Sequence, residues 1–280
     1  MPLVEPFIRW AGGKSWLLQE VDNLLEKVEY KNYYEPFLGG GAVFFSRNHP
    51  KNCYLSDLNK ELIDTYIAVR DRPNEVIRHF LTYENTEEDY YRIRELQSED
   101  LVEKAAQFIF LNQTSYNGLY RVNRDGKYNV PYGNRKKWTY NCDRILFASQ
   151  KLQKVKLKCS DFSYYKYRIK EKDLVFLDPP YTISDNNGFI MYNKELFSLD
   201  DQHRLSKFID YVRKKGAYYI LTNAAHPIIR EIFMKDGDRV LELDRQSLIG
   251  GKCARRGRVS EFIFTNIPER GLAHDENEMG

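Results

Sequence analysis

The chain has 280 residues, 42% of them hydrophobic, and a formal net charge of +3, a length and composition that suit one large core or one core with an inserted lobe. It has no apolar run near the roughly 20 residues that span a bilayer and no signal-peptide pattern at its start, so we expect a cytoplasmic protein without membrane contact. The four cysteines lack disulfide or metal-binding spacing, and we assign no metal site.

The small net charge hides a strong segregation along the sequence. Residues 116–158 hold eleven Lys or Arg and two acids, whereas residues 84–103 hold eight acids and two arginines. A basic segment is the electrostatic signature of a nucleic-acid contact, and an acidic run is most simply a solvated face. The charge pattern therefore favours a nucleic-acid partner for the segment that begins near residue 116.

The first motif is Arg9-Trp10-Ala11-Gly12-Gly13-Lys14-Ser15, followed by an apolar periodic stretch that predicts a helix. The motif resembles the end of a P-loop, but the first glycine of that pattern would fall on Ile8, which argues against an NTPase. Lys14 at a glycine-rich helix start suits a carboxylate or phosphate, because free N–H groups and the helix dipole favour anions there. An exposed first-turn lysine explains Lys14 equally well.

Two strand ends predict an adenosine-type cofactor site. A short strand at residues 33–35 leads into Gly39-Gly40-Gly41 and an apolar helix, which is the strand-loop-helix order of nucleotide sites. Phe44 stands where a dinucleotide motif has its last glycine, so a plain tight turn stays open as the alternative. A second strand, residues 53–56, ends at Asp57, whose carboxylate suits ribose hydroxyls.

The basic segment contains a predicted β-hairpin that suits DNA. Asp125-Gly126 is a hairpin turn signal, and its arms carry aromatic, Asn and Arg side chains that stack, wedge between bases or hydrogen-bond to base edges. Asn123 and Arg124 are candidate contacts, and Arg135-Lys136-Lys137 adds a phosphate anchor. A solvated basic loop remains the alternative for any one of these residues.

The strand predicted at residues 173–178 stops abruptly at Asp178-Pro179-Pro180-Tyr181, because proline has no N–H with which to continue a ladder. Ligands of open α/β sheets bind at the carboxyl ends of the strands. The Asp178 carboxylate and Pro179 carbonyl can accept hydrogen bonds from an amine, and the Tyr181 ring can stack on a planar group. The segment suits a flat amine such as adenine, with an ordinary strand-ending loop as the alternative. Asp161 and Phe162 follow another strand and suit an adenine ring.

Taken together, these segments resemble the Dam-type DNA adenine-N6 methyltransferases, in which Asp-Pro-Pro-Tyr follows an inserted recognition lobe. The resemblance covers residues 7–267, and several linked motifs in the same order argue against chance. The motifs are residues 9–14, 35–41, 57–59, 116–121, 129–133, 161–162 and 178–181.

The resemblance implies a mostly parallel, doubly wound α/β methyltransferase sheet with an inserted helical DNA-recognition lobe and β-hairpin. The implied division is a catalytic domain at residues 1–60 and 150–267 that binds S-adenosylmethionine, a target-recognition lobe at 61–149, and a disordered tail at 268–280. The cofactor would be held by Trp10, Lys14, Phe37, Gly39, Gly41, Asp57, Asp161, Phe162 and Asp178.

The resemblance also implies double-stranded DNA as the partner. The residues at its DNA-reading positions are Tyr116, Asn117, Leu119, Arg121 and Pro131. Arg121 is a candidate for bidentate contact to guanine, which suggests a GATC-like target. Asp178, Pro179, Pro180 and Tyr181 would form the catalytic segment, which holds a flipped adenine while its N6 amine receives a methyl group. We expect a bacterial or phage-encoded monomer, and its association with a restriction endonuclease stays open.

Two further interpretations compete with DNA adenine methylation. A similar pocket could serve amino methylation of RNA or of a protein glutamine amide, and a third possibility is a DNA-binding regulator that no longer transfers methyl groups. The basic hairpin argues for duplex DNA, and the intact Lys14, Asp57 and Asp178 argue against an inactive regulator. Residues 189–194 are predicted to form part of a lid, and the basic, glycine-rich residues 250–258 to follow a phosphate backbone.

Overall fold

The computed structural model of the chain describes residues 5–10, 12–123, 125–134, 139–181, 197–246 and 258–269. The chain divides into two compact units, Met1–Leu25 with Glu35–Phe162, and Glu26–Tyr34 with Ser163–Gly280. We call these the first and the second unit. The predicted assignment of catalytic and recognition functions to ranges of the chain remains a prediction.

Seven strands of the described residues form a mostly parallel sheet in the order β3-β2-β1-β4-β5-β7-β6. β2 pairs in parallel with β3, and β4 pairs in parallel with both β1 and β5, whereas β7 runs antiparallel to β5 and β6. The predicted α/β fold class is confirmed. The strands are β1 (Asn32–Glu35), β2 (Asn52–Asp57), β3 (Lys156–Cys159), β4 (Leu174–Leu177), β5 (Tyr218–Ala224), β6 (Arg239–Gln246) and β7 (Arg258–Thr265).

The helices fall close to the predicted positions, and most begin at residues that suit a helix start. Asp100 caps the helix Leu101–Thr114 by accepting hydrogen bonds from two backbone N–H groups, and Ser198 and Asp201 form a capping box at the start of the helix Leu199–Lys214. A 3-10 turn, Ser15–Leu17, precedes α1. The helices are α1 (Leu18–Leu25), α2 (Ala42–Ser46), α3 (Lys60–Asp71), α4 (Pro73–Phe80), α5 (Glu87–Arg94), α6 (Leu101–Thr114), α7 (Asp143–Leu152), α8 (Leu199–Lys214) and α9 (Pro227–Phe233).

In the first unit, the parallel pair β2 and β3 sets the position of the predicted cofactor residues. Asp57, the last residue of β2, lies opposite Cys159, the last residue of β3. Because parallel strands end at the same edge of a sheet, the segment that follows Cys159 begins beside Asp57. The backbone N–H of Ser160 donates a hydrogen bond to the Asp57 carbonyl at 3.0 Å, which fixes this arrangement.

In the second unit, β4 carries the predicted catalytic segment. Its four residues, Leu174–Leu177, are all buried, as expected for a parallel strand covered on both faces. Leu177 lies opposite Leu221 of β5, and the pairing ends there because Pro179 and Pro180 cannot donate to a ladder. Asp178 therefore stands at the carboxyl end of a buried strand, as the sequence predicts.

The state of the cysteines and the character of the helices complete the description of the fold. Cys53, Cys142 and Cys159 are free thiols, and Cys253 lies outside the described residues. Among the residues that the structure describes, no helix has the length and apolar character that crossing a bilayer requires.

Candidate functional site

The glycine loop after β1 is bonded directly to the acid that ends β2. The N–H of Gly39 donates to Asp57 Oδ2 at 3.0 Å, and the N–H of Asn59 donates to Asp57 Oδ1 at 3.0 Å. Burial raises the pKa of the Asp57 carboxyl, while the hydrogen bonds from these N–H groups act to lower it. Because a carboxylate has about four lone-pair sites, Asp57 can still accept hydrogen bonds from a ligand's hydroxyls.

The glycines of this loop are required by both conformation and space. Gly39 and Gly41 have φ of +47° and +66°, in the left-handed region that glycine tolerates best. A Cβ on Gly39 would lie 2.7 Å from Trp10 Cδ1, and one on Gly41 would lie 2.9 Å from the Tyr66 hydroxyl. The Tyr66 hydroxyl also donates to the Gly39 carbonyl at 3.1 Å. Trp10 therefore packs directly against this loop, and the part of the loop in cofactor binding stays a prediction.

Trp10 is itself held in place by aromatic neighbours. Its ring stacks on Tyr120 with centroids 5.4 Å apart and on Phe108 at 6.5 Å. Tyr120 belongs to the segment predicted to read DNA, and its hydroxyl donates to Glu61 at 2.7 Å. A predicted cofactor residue and the predicted DNA-reading segment are therefore in direct contact.

Lys14 is only 3% exposed, so the alternative of an exposed first-turn lysine is wrong. Its ammonium group donates to the Gly12 carbonyl at 2.9 Å. Burying an ammonium group costs free energy unless it is hydrogen-bonded or paired with a negative charge. The structure thus places a buried ammonium group at the glycine-rich turn, and the role of Lys14 in binding a carboxylate stays a prediction.

The segment that follows β3 brings an acid and an aromatic ring to the same region of the first unit. The rings of Phe37 and Phe162 stack with centroids 5.6 Å apart. Asp161, which directly precedes Phe162 in the chain, is half-buried. The hydroxyl of Ser160 is buried without a hydrogen-bond partner in the part of the chain that the structure describes.

These residues fit the predicted S-adenosylmethionine. A buried hydroxyl without a partner, such as that of Ser160, costs free energy that a ligand's hydrogen bond would recover. The other groups also suit parts of this ligand: Lys14 could bind its carboxylate, and Asp57 could accept hydrogen bonds from its ribose hydroxyls. The rings of Phe37 and Phe162 could contact its base. The sequence analysis missed Ser160, because one serine beside a predicted strand end carries no distinctive signal.

In the second unit, the two ends of the Asp178-Pro179-Pro180-Tyr181 segment are both anchored to neighbouring strands. The Thr222 hydroxyl of β5 donates to Asp178 Oδ1 at 2.7 Å, and the Tyr181 hydroxyl donates to the Glu261 carboxylate of β7. The pKa of Tyr181 is raised well above its usual value, mainly by burial of the phenol and then by the charges of Asp178 and Glu261. The half-buried Tyr181 thus donates its phenol hydrogen to a buried carboxylate.

The predicted hairpin is present, although its arms pair at isolated points and not along continuous strands. Ser115 pairs with Tyr132 and Val122 with Tyr128, both antiparallel. The loop at one end contains Asn117, whose φ of 56° is left-handed, and both Tyr116 and Asn117 are exposed. This arrangement presents their side chains at a turn, as a contact with a partner requires.

Arg121 is exposed on the hairpin, and a neighbouring side chain fixes its direction. Its Nε donates to Asn129 Oδ1 at 2.8 Å, and its Nη2 donates to the Asn129 carbonyl at 3.3 Å. Asn123, a predicted DNA contact, uses its Oδ1 to accept hydrogen bonds from the N–H groups of Asp125 and Lys127 at 3.0 and 2.9 Å. Asn123 therefore stabilises the turn, and its contact with DNA remains a prediction.

The other predicted DNA residues divide between described and undescribed positions. Leu119 is half-buried, and Pro131 is exposed with its carbonyl accepting a hydrogen bond from the Tyr116 N–H at 2.9 Å. Arg124, Arg135, Lys136 and Lys137 lie outside the described residues, as do the predicted lid at 189–194, most of the basic loop at 250–258 and most of the predicted tail.

The sequence analysis also missed Thr222, Glu261 and Asn129. Glu261 precedes the apolar run Phe262-Ile263-Phe264 in a predicted strand, and a charged residue in such a strand is a signal that could have been used, since buried acids are rare unless paired. Thr222 gives no such signal, because threonine is common in strands.

Comparison with known proteins identifies a family. Residues 10–248 match the family model described as D12 class N6 adenine-specific DNA methyltransferase. The match covers more than half of the chain and includes both the glycine loop of the first unit and the Asp178–Tyr181 segment of the second.

Several named proteins are similar over most of their length. The type II methyltransferase M1.LlaDCHI of Lactococcus lactis subsp. cremoris is 33% identical over 94% of this chain and 95% of its own. The type II methyltransferase M.MjaIII of Methanocaldococcus jannaschii is 36% identical over 79% of this chain and 84% of its own. The DNA adenine methylase of Escherichia coli K12 is 30% identical over 94% and 95%.

Proposed function

Since this chain belongs to the D12 class of N6 adenine-specific DNA methyltransferases, we propose that it moves a methyl group from S-adenosylmethionine to an adenine flipped out of duplex DNA. The observation that carries the residue-level proposal is the Asp178 carboxylate, held by the Thr222 hydroxyl at the end of a buried strand. RNA methylation, protein-glutamine methylation and an inactive regulator, the alternatives from the sequence, find no support in the family match.

The methyl donor is assigned to the first unit. Asp57 accepts hydrogen bonds from ribose hydroxyls, Lys14 binds the amino-acid carboxylate, and Phe37, Asp161 and Phe162 contact the adenine base. Gly39 and Gly41 let the backbone approach the ligand, and Trp10 supports that loop. When bound, S-adenosylmethionine supplies an electrophilic methyl group on a positively charged sulfur.

Asp178 and Pro179 activate the target amine. The N6 lone pair of adenine is delocalised into the ring, so the amine is a poor nucleophile. Hydrogen bonds from the amine to the Asp178 carboxylate and the Pro179 carbonyl draw the lone pair out of the ring plane toward the methyl group. The nitrogen–methyl bond would form as the methyl–sulfur bond breaks, which would leave S-adenosylhomocysteine as a neutral thioether, and the proton that the methylated amine loses would pass to water. Catalysis then depends on positioning and directed polar groups more than on a strong base. Asp178 is also among the residues that the family resemblance assigns to cofactor binding, and that role stays a prediction.

Tyr181 stabilises the adenine outside the duplex. Flipping a base costs a few kcal/mol in lost stacking and pairing, and stacking on an aromatic ring returns about 1–3 kcal/mol. Pro180 limits the directions that the tyrosine can take, because its ring fixes φ.

The hairpin of the first unit reads the duplex. We assign Arg121 to bidentate hydrogen bonds with a guanine, Tyr116 and Leu119 to wedging and stacking, and Asn117 to a base edge. The target is a short, GATC-like duplex. Asn123 and Pro131 contact the DNA backbone beside the hairpin. Four basic residues anchor phosphates: Arg124, Arg135, Lys136 and Lys137.

Residues 61–149 act as the recognition lobe in this proposal, with residues 1–60 and 150–267 as the catalytic domain. Action as a monomer and association with a restriction endonuclease stay predictions. Mapping N6-methyladenine in host DNA during expression tests activity and target together. Methylation at one short recurring sequence supports the proposal, and methylation scattered over unrelated sequences contradicts the assigned recognition role.

A further inference from the structure

Glu261 is a buried acid in a strand that is otherwise mainly apolar. It is 1% exposed and lies on β7, followed by Phe262, Ile263 and Phe264, which are buried as well. Burying a carboxylate costs several kcal/mol unless it is hydrogen-bonded, so an acid at such a position requires a structural or functional reason. Sheet packing alone would be served better by an apolar residue.

One hydrogen bond of Glu261 is with the predicted adenine-stacking residue. The Tyr181 hydroxyl donates a hydrogen bond to Glu261 Oε2, and the two residues are 80 positions apart in the chain. Hydrogen bonds to a charged acceptor are stronger than those between neutral groups and define the direction of the donor more narrowly. The ring of Tyr181 is therefore held through its hydroxyl at the end farthest from the backbone.

Glu261 and Thr222 share one face of the sheet. In the antiparallel pair of β5 and β7, Thr222 lies opposite Ile263, and Ala224 lies opposite Glu261. Paired residues and residues two apart along a strand point to the same side, so the two polar side chains project from one surface. Thr222 is 1% exposed and donates to Asp178, so this surface holds both ends of the Asp178–Tyr181 segment.

We propose that Glu261 is a positioning residue for methyl transfer, which fixes the Tyr181 ring against the flipped adenine through its phenol hydroxyl. This inference rests on the proposed function, since it assigns a cause to the orientation of the stacking residue. Glu261 does not contact the adenine itself. Its effect reaches the base through Tyr181, while Thr222 orients the carboxylate at the other end of the segment.

Removal of the hydrogen bond between Glu261 and Tyr181 should slow the methyl-transfer step and not the binding steps. An adenine held in the wrong orientation still binds with its duplex, but its amine is misaligned for in-line transfer. Misplacement of about 1 Å costs on the order of 100-fold in rate. Loss of the Glu261 acceptor therefore lowers the rate of transfer in single-turnover experiments and leaves the affinities for duplex DNA and S-adenosylmethionine near those of the wild type.

A double-mutant cycle between the two partners tests the inference. Glu261→Leu removes the acceptor, Tyr181→Phe removes the donor and keeps the stacking ring, and the double variant removes both. We expect each single variant to slow transfer by on the order of tenfold to a hundredfold. The double variant should be no slower than the slower single variant, because both substitutions remove the same hydrogen bond. Effects that multiply would overturn the inference.

Conservative and control variants separate positioning from folding. Glu261→Gln keeps an oxygen that can accept from the phenol, so it should recover most of the rate. Glu242→Gln changes an exposed glutamate on the adjacent strand β6 and should leave the rate unchanged. If Glu261→Leu does not fold, a wild-type rate in Tyr181→Phe still overturns the inference, and a slowed Tyr181→Phe with unchanged DNA affinity supports it.

Failure of the inference is distinguishable from failure of the proposed function. Asp178→Ala is measured in the same assay and removes the carboxylate assigned to the amine. Full transfer by Asp178→Ala refutes the catalytic assignment, whatever the Glu261 variants do. Loss of transfer in Asp178→Ala together with multiplying effects at Tyr181 and Glu261 refutes the positioning role alone.

Discussion

Replacement of Gly39 by alanine tests the glycine loop as part of the cofactor site. Gly39 has a φ of +47°, and a Cβ there would lie 2.7 Å from Trp10 Cδ1 and 3.0 Å from Trp10 Nε1. Trp10 would have to move, but its ring is confined by stacking on Tyr120 and Phe108. The substitution therefore disturbs a side chain assigned to the cofactor site as well as the backbone.

The two effects of Gly39→Ala appear in different measurements. A left-handed L-residue costs roughly 1–2 kcal/mol, and since the strain is present with and without ligand, it lowers the free energy of unfolding but largely cancels in binding. Turning Trp10 about 30° from its rotamer costs about 0.5–1.5 kcal/mol. If this strain in Trp10 arises only when S-adenosylmethionine is bound, it weakens binding, and the Kd rises about 2- to 13-fold.

Gly237→Ala is the matched control for backbone strain. Gly237 has a φ of +79°, and a Cβ there would meet nothing within 4 Å. Urea unfolding should show a similar loss of stability in both variants, whereas isothermal titration calorimetry should show weaker S-adenosylmethionine binding in Gly39→Ala alone. Wild-type affinity in Gly39→Ala, or equal weakening in Gly237→Ala, would refute the role assigned to the packing of Trp10 on this loop.

Three further predictions concern the anchor of Asp178, the reading of DNA, and acid stability. Thr222→Val removes the hydroxyl that donates to Asp178, so single-turnover methyl transfer should slow by on the order of tenfold or more. Thr222→Ser keeps a hydroxyl and should retain most of the rate. Equal rates in the two variants would contradict the role of Thr222 in orienting Asp178. Arg121→Lys should reduce discrimination at one base pair by about 1–3 kcal/mol in competition binding, and Asn129→Ala should act in the same direction more weakly, whereas the exposed Lys27→Ala should not. The pKa of His49 is lowered to about 3, first by burial and then by the charges of Lys151 and Arg47. Between about pH 6.5 and 3 the unfolded chain therefore binds the extra proton, so stability should fall as the pH falls through this range, and it should fall less in His49→Asn when unfolding is followed at each pH.

Residues whose role follows from their place in the chain could be predicted from the sequence. Asp57 and Asp178 each follow a short apolar strand, and the carboxyl end of a parallel strand is where ligands bind in this class of fold. Gly39 and Gly41 stand in a glycine-rich turn between a strand and a helix, and glycine adopts the left-handed conformation without strain. The parallel α/β class and these strand ends follow from local patterns in the sequence, whereas the strand order, which depends on pairing between distant segments, comes from the structure alone.

Residues whose role depends on contacts between distant segments could not be predicted in the same way. Trp10 and Tyr120 stack although 110 positions separate them, and nothing in either segment indicates the other. The exposure of Lys14 was left open because burial depends on what packs over the helix start. An acid in an apolar strand marks Glu261 in the sequence, but its partner Tyr181 lies 80 positions away and is identified only by the structure.

The role proposed for the Asp178 carboxylate is to accept a hydrogen bond from the amine that receives the methyl group. The most direct measurement is transfer of labelled methyl from S-adenosylmethionine to defined duplexes by the wild type and by Asp178→Ala, with duplex binding followed by fluorescence anisotropy. We predict that Asp178→Ala abolishes transfer and leaves duplex binding largely intact. Retained transfer, or an equal loss of transfer and binding, would contradict the claim.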